Sequence, residues 1–260
     1  MKTLGKQLPT AMNVDAPLDV TIVGDSTLNF HGAPRRRHNE NAIVEYLEAN
    51  LPQGSVVRGG AIGGAKAKEI YDELHKCLAQ ADIHRANSMR SGSVFPNAKM
   101  RIAIVVWNMN DLSAGNTKKT KIRRVREVTP DMIAEAHQMH GLLAQFDEVI
   151  VIGPGNHRLW GFPEEYDAQA TQLMTACLPP KSLHLNGRHI FEALEKFDEW
   201  HFRWTDENRR ILGWAVRNAI TMAVCSRAIR SGGELPTDEH RGIRRETLRR
   251  HALWERRTPR

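Results

Sequence analysis

An uninterrupted apolar run, Ile102–Trp107, constrains the fold of this chain more than any other sequence feature. A strand with one solvated face alternates apolar and polar side chains, whereas a run of this kind needs a covering layer on both faces. It is therefore typical of a central strand in a parallel sheet that lies between two layers of helices. As the longest apolar stretch of the chain it is far too short to span a bilayer, so we expect no transmembrane segment.

Shorter β-branched runs alternate with amphipathic segments along the rest of the chain. Strands are predicted at 20–23, 55–57, 101–107, 148–152 and about 183–185. Helices are predicted at about 40–50, 65–81, 130–145, 164–177, 190–197 and 206–230, the last with Thr205 as its N-cap. This regular alternation predicts an α/β fold with three layers and a doubly wound, mainly parallel, five-stranded sheet of the flavodoxin-like type.

The positive charge of the chain is concentrated in two segments. Its 260 residues carry a formal net charge of +7, yet Lys118–Glu127 alone holds six basic residues and one acid. The segment Arg241–Arg260 holds eight arginines and two glutamates, so the rest of the chain is mildly acidic. We predict an N-terminal arm at 1–18, an α/β domain at 19–230 and a basic C-terminal tail at 231–260.

The cysteines indicate a reducing compartment. Cys77, Cys177 and Cys225 are widely spaced and form no C-x-x-C pair, so they are expected to be reduced thiols, and a zinc cluster has no ligands to build from. The first twenty residues lack the apolar core of a secretion signal. We therefore expect a cytoplasmic protein that needs no metal and no other cofactor.

Polar residues follow the predicted strands at the edge where reactive groups collect in a doubly wound sheet. Ser26 follows the first strand, a glycine-rich turn at 59–64 follows the second, and Asn110 follows the third. Asp198 and His201 come near the end of the alternation. A serine at such a turn lies near free backbone N–H groups, and a histidine oriented by a carboxylate can act as its base. The set predicts nucleophilic catalysis by a serine.

These residues, in this order, resemble the SGNH hydrolase superfamily, also called the GDSL esterases and lipases. Its hallmarks are a serine in Gly-Asp-Ser near the N-terminus, a glycine after strand two, an asparagine after strand three and a C-terminal Asp-x-x-His. The resemblance spans Val20 to about His201. It implies that Ser26 is the nucleophile, that His201 is the general base and that Asp198 orients His201.

The resemblance also implies an oxyanion hole and a reaction. The oxyanion donors would be the backbone N–H of Ser26, the N–H of Gly64 and the amide of Asn110, with Gly63 and Gly60 as alternatives to Gly64. The implied activity is hydrolysis, without a metal, of acyl esters or thioesters of a small-molecule, lipid or carbohydrate substrate through an acyl-enzyme.

Several residues near this set need an interpretation of their own. Asn108 stands where the superfamily usually has glycine, and asparagine tolerates the left-handed backbone that such a turn needs. His157 is a second candidate base, Asp25 is expected to fix the turn before Ser26, and His31 is expected to be solvated. The aromatic residues around His201 either form an acyl pocket or pack their loop onto the core, and they are Trp200, Phe202 and Trp204.

The basic segments allow a second class of function. In this interpretation the protein is a catalytically weak or inactive SGNH-like module that binds RNA, DNA or another polyanion through residues 118–126 and 241–260. Lysine and arginine runs bind phosphates by charge neutralisation and counterion release. They also occur as solvated loops and helix faces without a partner.

Overall fold

The central layer of the molecule is a five-stranded parallel sheet with the order β2-β1-β3-β6-β7. In chain order the strands are β1 (Leu18–Gly24), β2 (Val56–Arg58), β3 (Met100–Val106), β4 (Ser113–Asn116), β5 (Arg123–Val125), β6 (Glu148–Ile152) and β7 (Leu183–Leu185). The helices are α1 (Val44–Asn50), α2 (Ala67–Arg90), α3 (Pro130–Leu143), α4 (Pro163–Cys177), α5 (Gly187–Glu192) and α6 (Asp206–Arg230). The predicted fold class is confirmed, and the direction of winding reverses between β1 and β3.

This computed structural model describes residues 16–31, 41–90, 100–107, 110–116, 123–153, 163–180, 182–197 and 201–230. Ala16–Ala223 forms one compact unit, which contains the whole sheet. Residues 1–15 and 224–260 belong to a second unit, of which 224–230, the last turns of α6, are described.

Both faces of the sheet are covered, as the apolar run in β3 requires. Val105 and Val151 belong to a buried core with the apolar side chains of α2, α3 and α4. Ile104 and Ile150, which point to the opposite face, are equally buried. The β1–β2 and β2–β3 connections cross the sheet in opposite directions, and parallel crossovers are right-handed, so α1 lies on the face opposite α2.

The first half of α6 contacts α1. The guanidinium of Arg209 donates to the Ala42 carbonyl (3.0 Å) and to the Glu45 carboxylate (2.7 Å). One turn later, Gly213 lies so close to the Tyr46 ring that a side chain there would clash. The predicted bounds of α6 are confirmed, because the Thr205 hydroxyl accepts a hydrogen bond from the Asn208 N–H (3.1 Å) and caps the first turn.

Helices α1, α2 and α5 differ most from their predicted bounds, and α1 begins at Val44 rather than at about residue 40. The prediction ended α2 at Ala81, the last member of its apolar stripe, but the backbone stays helical to Arg90 because no glycine or proline interrupts it before Gly92. Helix α5 begins earlier than predicted, at Gly187, and ends earlier, at Glu192 rather than at about residue 197. The Asn186 side chain caps the helix by accepting the N–H of Arg188 (2.9 Å). The predicted start at residue 190 followed the first apolar residue and did not take this cap into account.

The connection between β3 and α3, which contains the basic segment Lys118–Glu127, includes a two-stranded antiparallel ribbon, β4–β5. Ser113 pairs with Val125, and Asn116 pairs with Arg123. Val125 is partly buried against the core. Strands built from small and charged residues carry no apolar alternation, which is why the pattern did not predict them.

Candidate active site

The ends of β1 and β3 meet at the point where the sheet reverses its winding, which is where doubly wound folds bind ligands. Gly24 and Val106 are partners in the last register position of this pair. A Cβ on Gly24 would lie 2.5 Å from the Val106 carbonyl oxygen, so only glycine allows this approach. Gly24 also donates to the Gly60 carbonyl (3.2 Å) and accepts from the Ile62 N–H (2.9 Å). The loops after β1 and β2 therefore adjoin each other.

Asp25 is buried and connects three parts of the site. Its Oδ1 accepts the backbone N–H (2.9 Å) and the hydroxyl (2.7 Å) of Thr27, which closes the turn around Ser26. Its backbone N–H donates to the carbonyl of Val106 (3.2 Å), and its Oδ2 accepts from the Asn110 amide (3.2 Å). The carboxylate is thus used for structure, in agreement with the expected turn-fixing role.

Ser26 is half-buried on the loop after β1, and its carbonyl accepts the Asn29 N–H (3.2 Å). Its backbone N–H and its hydroxyl make no hydrogen bond with another described residue, His201 included. Catalytic hydrogen bonds are often long before a substrate binds, so this geometry does not argue against a Ser26–His201 pair.

The glycine turn offers further backbone donors. Gly63 and Gly64 are exposed, and among the described residues neither N–H has an acceptor. Gly64 has a φ of +71°, a left-handed conformation that favours glycine, and the Ala65 N–H closes the turn on the Ile62 carbonyl (3.1 Å). Gly60, by contrast, is buried beside Gly24, where it continues β2. Gly63 and Gly64 are therefore better placed than Gly60 to donate to a ligand.

Asn110 begins a short 3-10 turn, Asn110–Leu112, directly beside these groups. Its Nδ2 donates to the Ala65 carbonyl (3.0 Å) and to Asp25 Oδ2 (3.2 Å). Both amide hydrogens thus point at protein acceptors. An oxyanion would have to replace one of these two acceptors.

Asp111 anchors the turn that carries Asn110. Its carboxylate is buried, and it accepts the indole N–H of Trp107 (3.0 Å) and the backbone N–H of Ala67 (3.0 Å) at the start of α2. Burial raises the pKa of Asp111, and these two donors oppose the rise by stabilising the carboxylate. This buried link fixes the position of the glycine turn relative to Asn110.

The segment that carries His201 is a closed loop. Phe197 donates its N–H to the His201 carbonyl (2.9 Å), and Arg203 donates to the Glu195 carbonyl (2.9 Å). The side chain of Asn208 fixes the base of the loop, since its Oδ1 accepts from the Glu195 N–H (2.8 Å) and its Nδ2 donates to the carbonyls of Glu195 (2.8 Å) and Arg203 (2.9 Å). Asn208 is buried and belongs to the first turn of α6, so the loop is tied to a rigid helix.

His31 joins the His201 loop to the loop that carries Ser26. Its N–H donates to the Phe202 carbonyl (2.8 Å), and its carbonyl accepts the Trp204 N–H (2.6 Å). The imidazole rings of His31 and His201 lie 3.9 Å apart between centroids at an interplanar angle of 32°. The expectation that His31 is solvated is therefore corrected: it is half-buried against the candidate base. The sequence offers no signal for a contact between residues so far apart along the chain.

The aromatic residues around His201 that the structure describes pack the loop onto the core. Phe202 is buried against Phe30 and Phe191, with ring centroids 6.0 and 5.6 Å away. Trp204 lies 6.5 Å from Phe30 and beneath the Arg209 guanidinium, at 5.1 Å. Of the two interpretations, packing is the one that applies to Phe202.

Several predicted residues lie outside the described part of the chain. They are Asp198, Asn108, His157, Trp200, residues 117–122 and the tail at 231–260. The structure thus brings Ser26, the Gly63–Gly64 turn and Asn110 to one edge of the sheet and joins the His201 loop to the Ser26 loop. The position of Asp198 stays a prediction. Of the predicted polyanion-binding segments, residues 123–126 are described, and Arg123–Val125 forms the second strand of the ribbon.

The described residues hold no cluster of three histidine, cysteine, aspartate or glutamate side chains able to bind a metal ion. None of the three cysteines, all of which lie in the described ranges, forms a disulfide. Burial raises the pKa of Cys77 to about 11 and that of Cys177 to about 12. Thiols of this kind are protonated at neutral pH and are poor nucleophiles. None of the helices in the described ranges is long and apolar enough to cross a membrane.

Neither a family model nor a curated protein matches the sequence. The chain is similar to the crystal structure of a member of the lipolytic protein G-D-S-L family from Veillonella parvula, at 13% identity and a TM-score of 0.47, over 77% of this chain and 97% of that one. It is similar to the lipase/acylhydrolase from Enterococcus faecalis at 14% identity and a TM-score of 0.46, over 79% and 96% of the two chains. A third similar structure is an alpha/beta hydrolase enzyme from the metagenome of Lake Arreo, Spain, at 13% identity and a TM-score of 0.47, over 81% and 99%.

Proposed function

We propose that this protein is a metal-free serine hydrolase of the SGNH type that cleaves acyl esters through an acyl-enzyme. The observation that carries the proposal is that Ser26, the exposed Gly63–Gly64 turn and the Asn110 amide lie at the same edge of the sheet, at its switch point. The His201 loop is hydrogen-bonded to the same loop that carries Ser26, which supports His201 as the base.

In the first half of the reaction, the Ser26 hydroxyl oxygen attacks the ester carbonyl carbon while His201 takes the hydroxyl proton. The carbonyl electron pair moves to the oxygen, and the resulting oxyanion accepts hydrogen bonds from the N–H of Ser26, a glycine N–H (Gly64, or Gly63) and the Asn110 amide. The pair returns to re-form the carbonyl, the bond to the alcohol oxygen breaks, and His201 gives its proton to the departing alcohol. Ser26 is then acylated.

In the second half, water attacks the acyl-enzyme and His201 takes one of its protons. The second tetrahedral intermediate uses the same donors and breaks its bond to Ser26, whose oxygen recovers the proton from His201. The products are a carboxylic acid and the free enzyme, so no oxidant, metal or other cofactor is consumed. Asp198 acts in this proposal by orienting His201 and stabilising its protonated form.

The proposed substrates are esters or thioesters of small-molecule, lipid or carbohydrate alcohols. The exposure of Gly63 and Gly64 supports a site that opens to solvent beside the nucleophile. A cytoplasmic location goes with this proposal, because cysteines that form no disulfide suit a reducing compartment.

The test is hydrolysis of p-nitrophenyl acetate and butyrate by the wild type and by Ser26→Ala. Loss of the nucleophile should reduce turnover by about a thousandfold or more. Ser226→Ala is the matched control, because Ser226 is exposed on α6, and it should keep the wild-type rate. Equal rates for the wild type and Ser26→Ala would reject the esterase, and salt-dependent binding of mixed-sequence oligonucleotides by both would then support the polyanion-binding module.

A further inference from the structure

We propose that His31 is a positioning residue for the candidate base: its imidazole, stacked on the imidazole of His201, holds that ring in the orientation required for proton transfer with Ser26. The inference rests on the proposed function, because it assigns His31 a role only if His201 is the base. No motif of the sequence indicates such a role for His31.

The contact is close enough to restrict the ring of His201. Aromatic rings pack with centroids about 4.5–7 Å apart, and the two imidazoles lie at 3.9 Å with 32° between their planes. The face of the His201 ring that meets His31 is therefore in van der Waals contact, and rotation of this ring would displace His31. The His31 ring also packs near the ring of Phe197, which belongs to the same loop as His201, with the two centroids 5.7 Å apart.

His31 can hold the His201 ring because its own backbone is fixed. Hydrogen bonds to Phe202 and Trp204 on either side of it attach His31 to the chain that follows His201. His31 lies five residues after Ser26, and between them the Asn29 N–H donates to the Ser26 carbonyl. A single residue thus couples the nucleophile's loop to the ring of the base.

The His201 loop has a second anchor that does not involve its ring. Asn208 holds the backbone at Glu195 and Arg203 from helix α6. Asn208 thus fixes the backbone on both sides of His201, and the contact with His31 acts on the ring itself.

The ring, rather than a proton of His31, does this work in the proposal. An aromatic replacement should therefore substitute for His31, whereas an aliphatic one should not. Activity of the aromatic variant would therefore indicate positioning by the ring, whereas acid–base chemistry by His31 would require the imidazole. A thermal unfolding measurement on each variant separates both from an effect on folding.

The experiment compares His31→Phe, His31→Leu and His31→Ala in the full chain. The readouts are the rate at which a fluorophosphonate modifies Ser26 and the kcat and KM for p-nitrophenyl acetate, with thermal unfolding as a check of the fold. His31→Ala and His31→Leu should lower the labelling rate and kcat by about 10- to 100-fold at nearly unchanged KM, since misplacing a catalytic group acts on the chemical step. His31→Phe should stay within about threefold of the wild type.

The control is His75→Ala, because His75 is also stacked on an aromatic ring, Tyr71 at 6.1 Å, but lies on α2. It should label and turn over like the wild type. Wild-type rates for folded His31→Ala or His31→Leu would overturn the inference, and so would a His31→Phe variant as slow as His31→Ala. If Ser26→Ala and His201→Ala keep full activity, the proposed function fails; if they are inactive while all His31 variants are active, only this inference fails.

Discussion

The side-chain amide of Asn110 donates to the carboxylate of Asp25 across 3.2 Å, joining the loops that follow β1 and β3. Asp25 directly precedes the candidate nucleophile, so this bond places the Asn110 amide beside Ser26. The amide's other partner, the Ala65 carbonyl, belongs to the connection that contains the glycine turn. Two hydrogen bonds from one side chain therefore bring together the loops after three strands.

Replacing Asn110 by alanine should lower kcat for an ester by about a hundredfold and leave KM nearly unchanged, because an oxyanion donor acts in the transition state. Steady-state kinetics with p-nitrophenyl acetate measure both constants. Asn50→Ala is the control, since Asn50 is exposed at the end of α1 and bonds the Tyr46 carbonyl. A raised KM at unchanged kcat would contradict the assignment of Asn110 as an oxyanion donor.

Replacing Asp111 by alanine should destabilise the protein by about 2–4 kcal/mol, because it leaves the buried N–H groups of Trp107 and Ala67 without an acceptor. Trp107→Phe removes one of these donors, so Asp111→Ala should cost less stability in the Trp107→Phe background than in the wild type. Urea unfolding of the two single variants and the double variant measures this coupling. Strictly additive losses would contradict the hydrogen bond between Trp107 and Asp111.

The stability contribution of Asp111 should also depend on pH. Burial raises its pKa in the folded state, so the folded protein binds this proton more tightly than the unfolded chain does. The part of the stability that comes from binding this proton is fully present below the pKa of an unfolded aspartate. It is lost as pH rises through the raised pKa of the folded state. The free energy of unfolding of Asp111→Asn relative to wild type should therefore shift in favour of the variant as pH rises from the acidic range toward neutrality. A shift in the opposite direction would contradict the raised pKa.

The two exposed glycines of the turn should respond differently to alanine. Gly64→Ala should cost about 1–2 kcal/mol, because a φ of +71° is unfavourable for a residue with a Cβ although there is open space for it. Gly63→Ala meets no neighbour within 4 Å and has no positive φ, so its stability should match the wild type. Thermal unfolding of both variants tests the geometry of the turn independently of activity, and equal losses would contradict it.

The buried thiols should be unreactive in the native protein. With pKa values of about 11 and 12, Cys77 and Cys177 are protonated at neutral pH, and both are buried. Iodoacetamide should modify the more accessible Cys225 first, and Cys77 and Cys177 only after unfolding. Mass spectrometry of the alkylated peptides measures this order, and rapid native labelling of Cys177 would contradict the packing of α4.

The sheet and its order of elements could be predicted because their signals are local. The apolar run of β3 and the capped, periodic sequence of α6 each determine one element with little help from the rest of the chain. The ends of α2 and α5 and the ribbon β4–β5 were missed because polar helix turns, side-chain caps and charged strands carry no apolar period.

The candidate site was predicted in part for the same reason. Ser26, Gly64 and Asn110 follow strands, and the ends of adjacent parallel strands must meet at one edge of the sheet. The stacking of His31 on His201 and the Asn110–Asp25 hydrogen bond depend on how loops distant in sequence fold against each other. Such contacts arise from tertiary packing, and a single sequence contains no period or motif that specifies them.

The most direct test of the central claim is covalent labelling of the wild-type protein by a fluorophosphonate, followed by mass-spectrometric mapping of the modified residue. An activated serine is required for this reaction, and no natural substrate is needed. We expect a single modification at Ser26, which slows strongly in His201→Ala and does not occur in Ser26→Ala. Absence of labelling in the folded wild type, or labelling of a different serine, would contradict the assignment of Ser26 as the nucleophile.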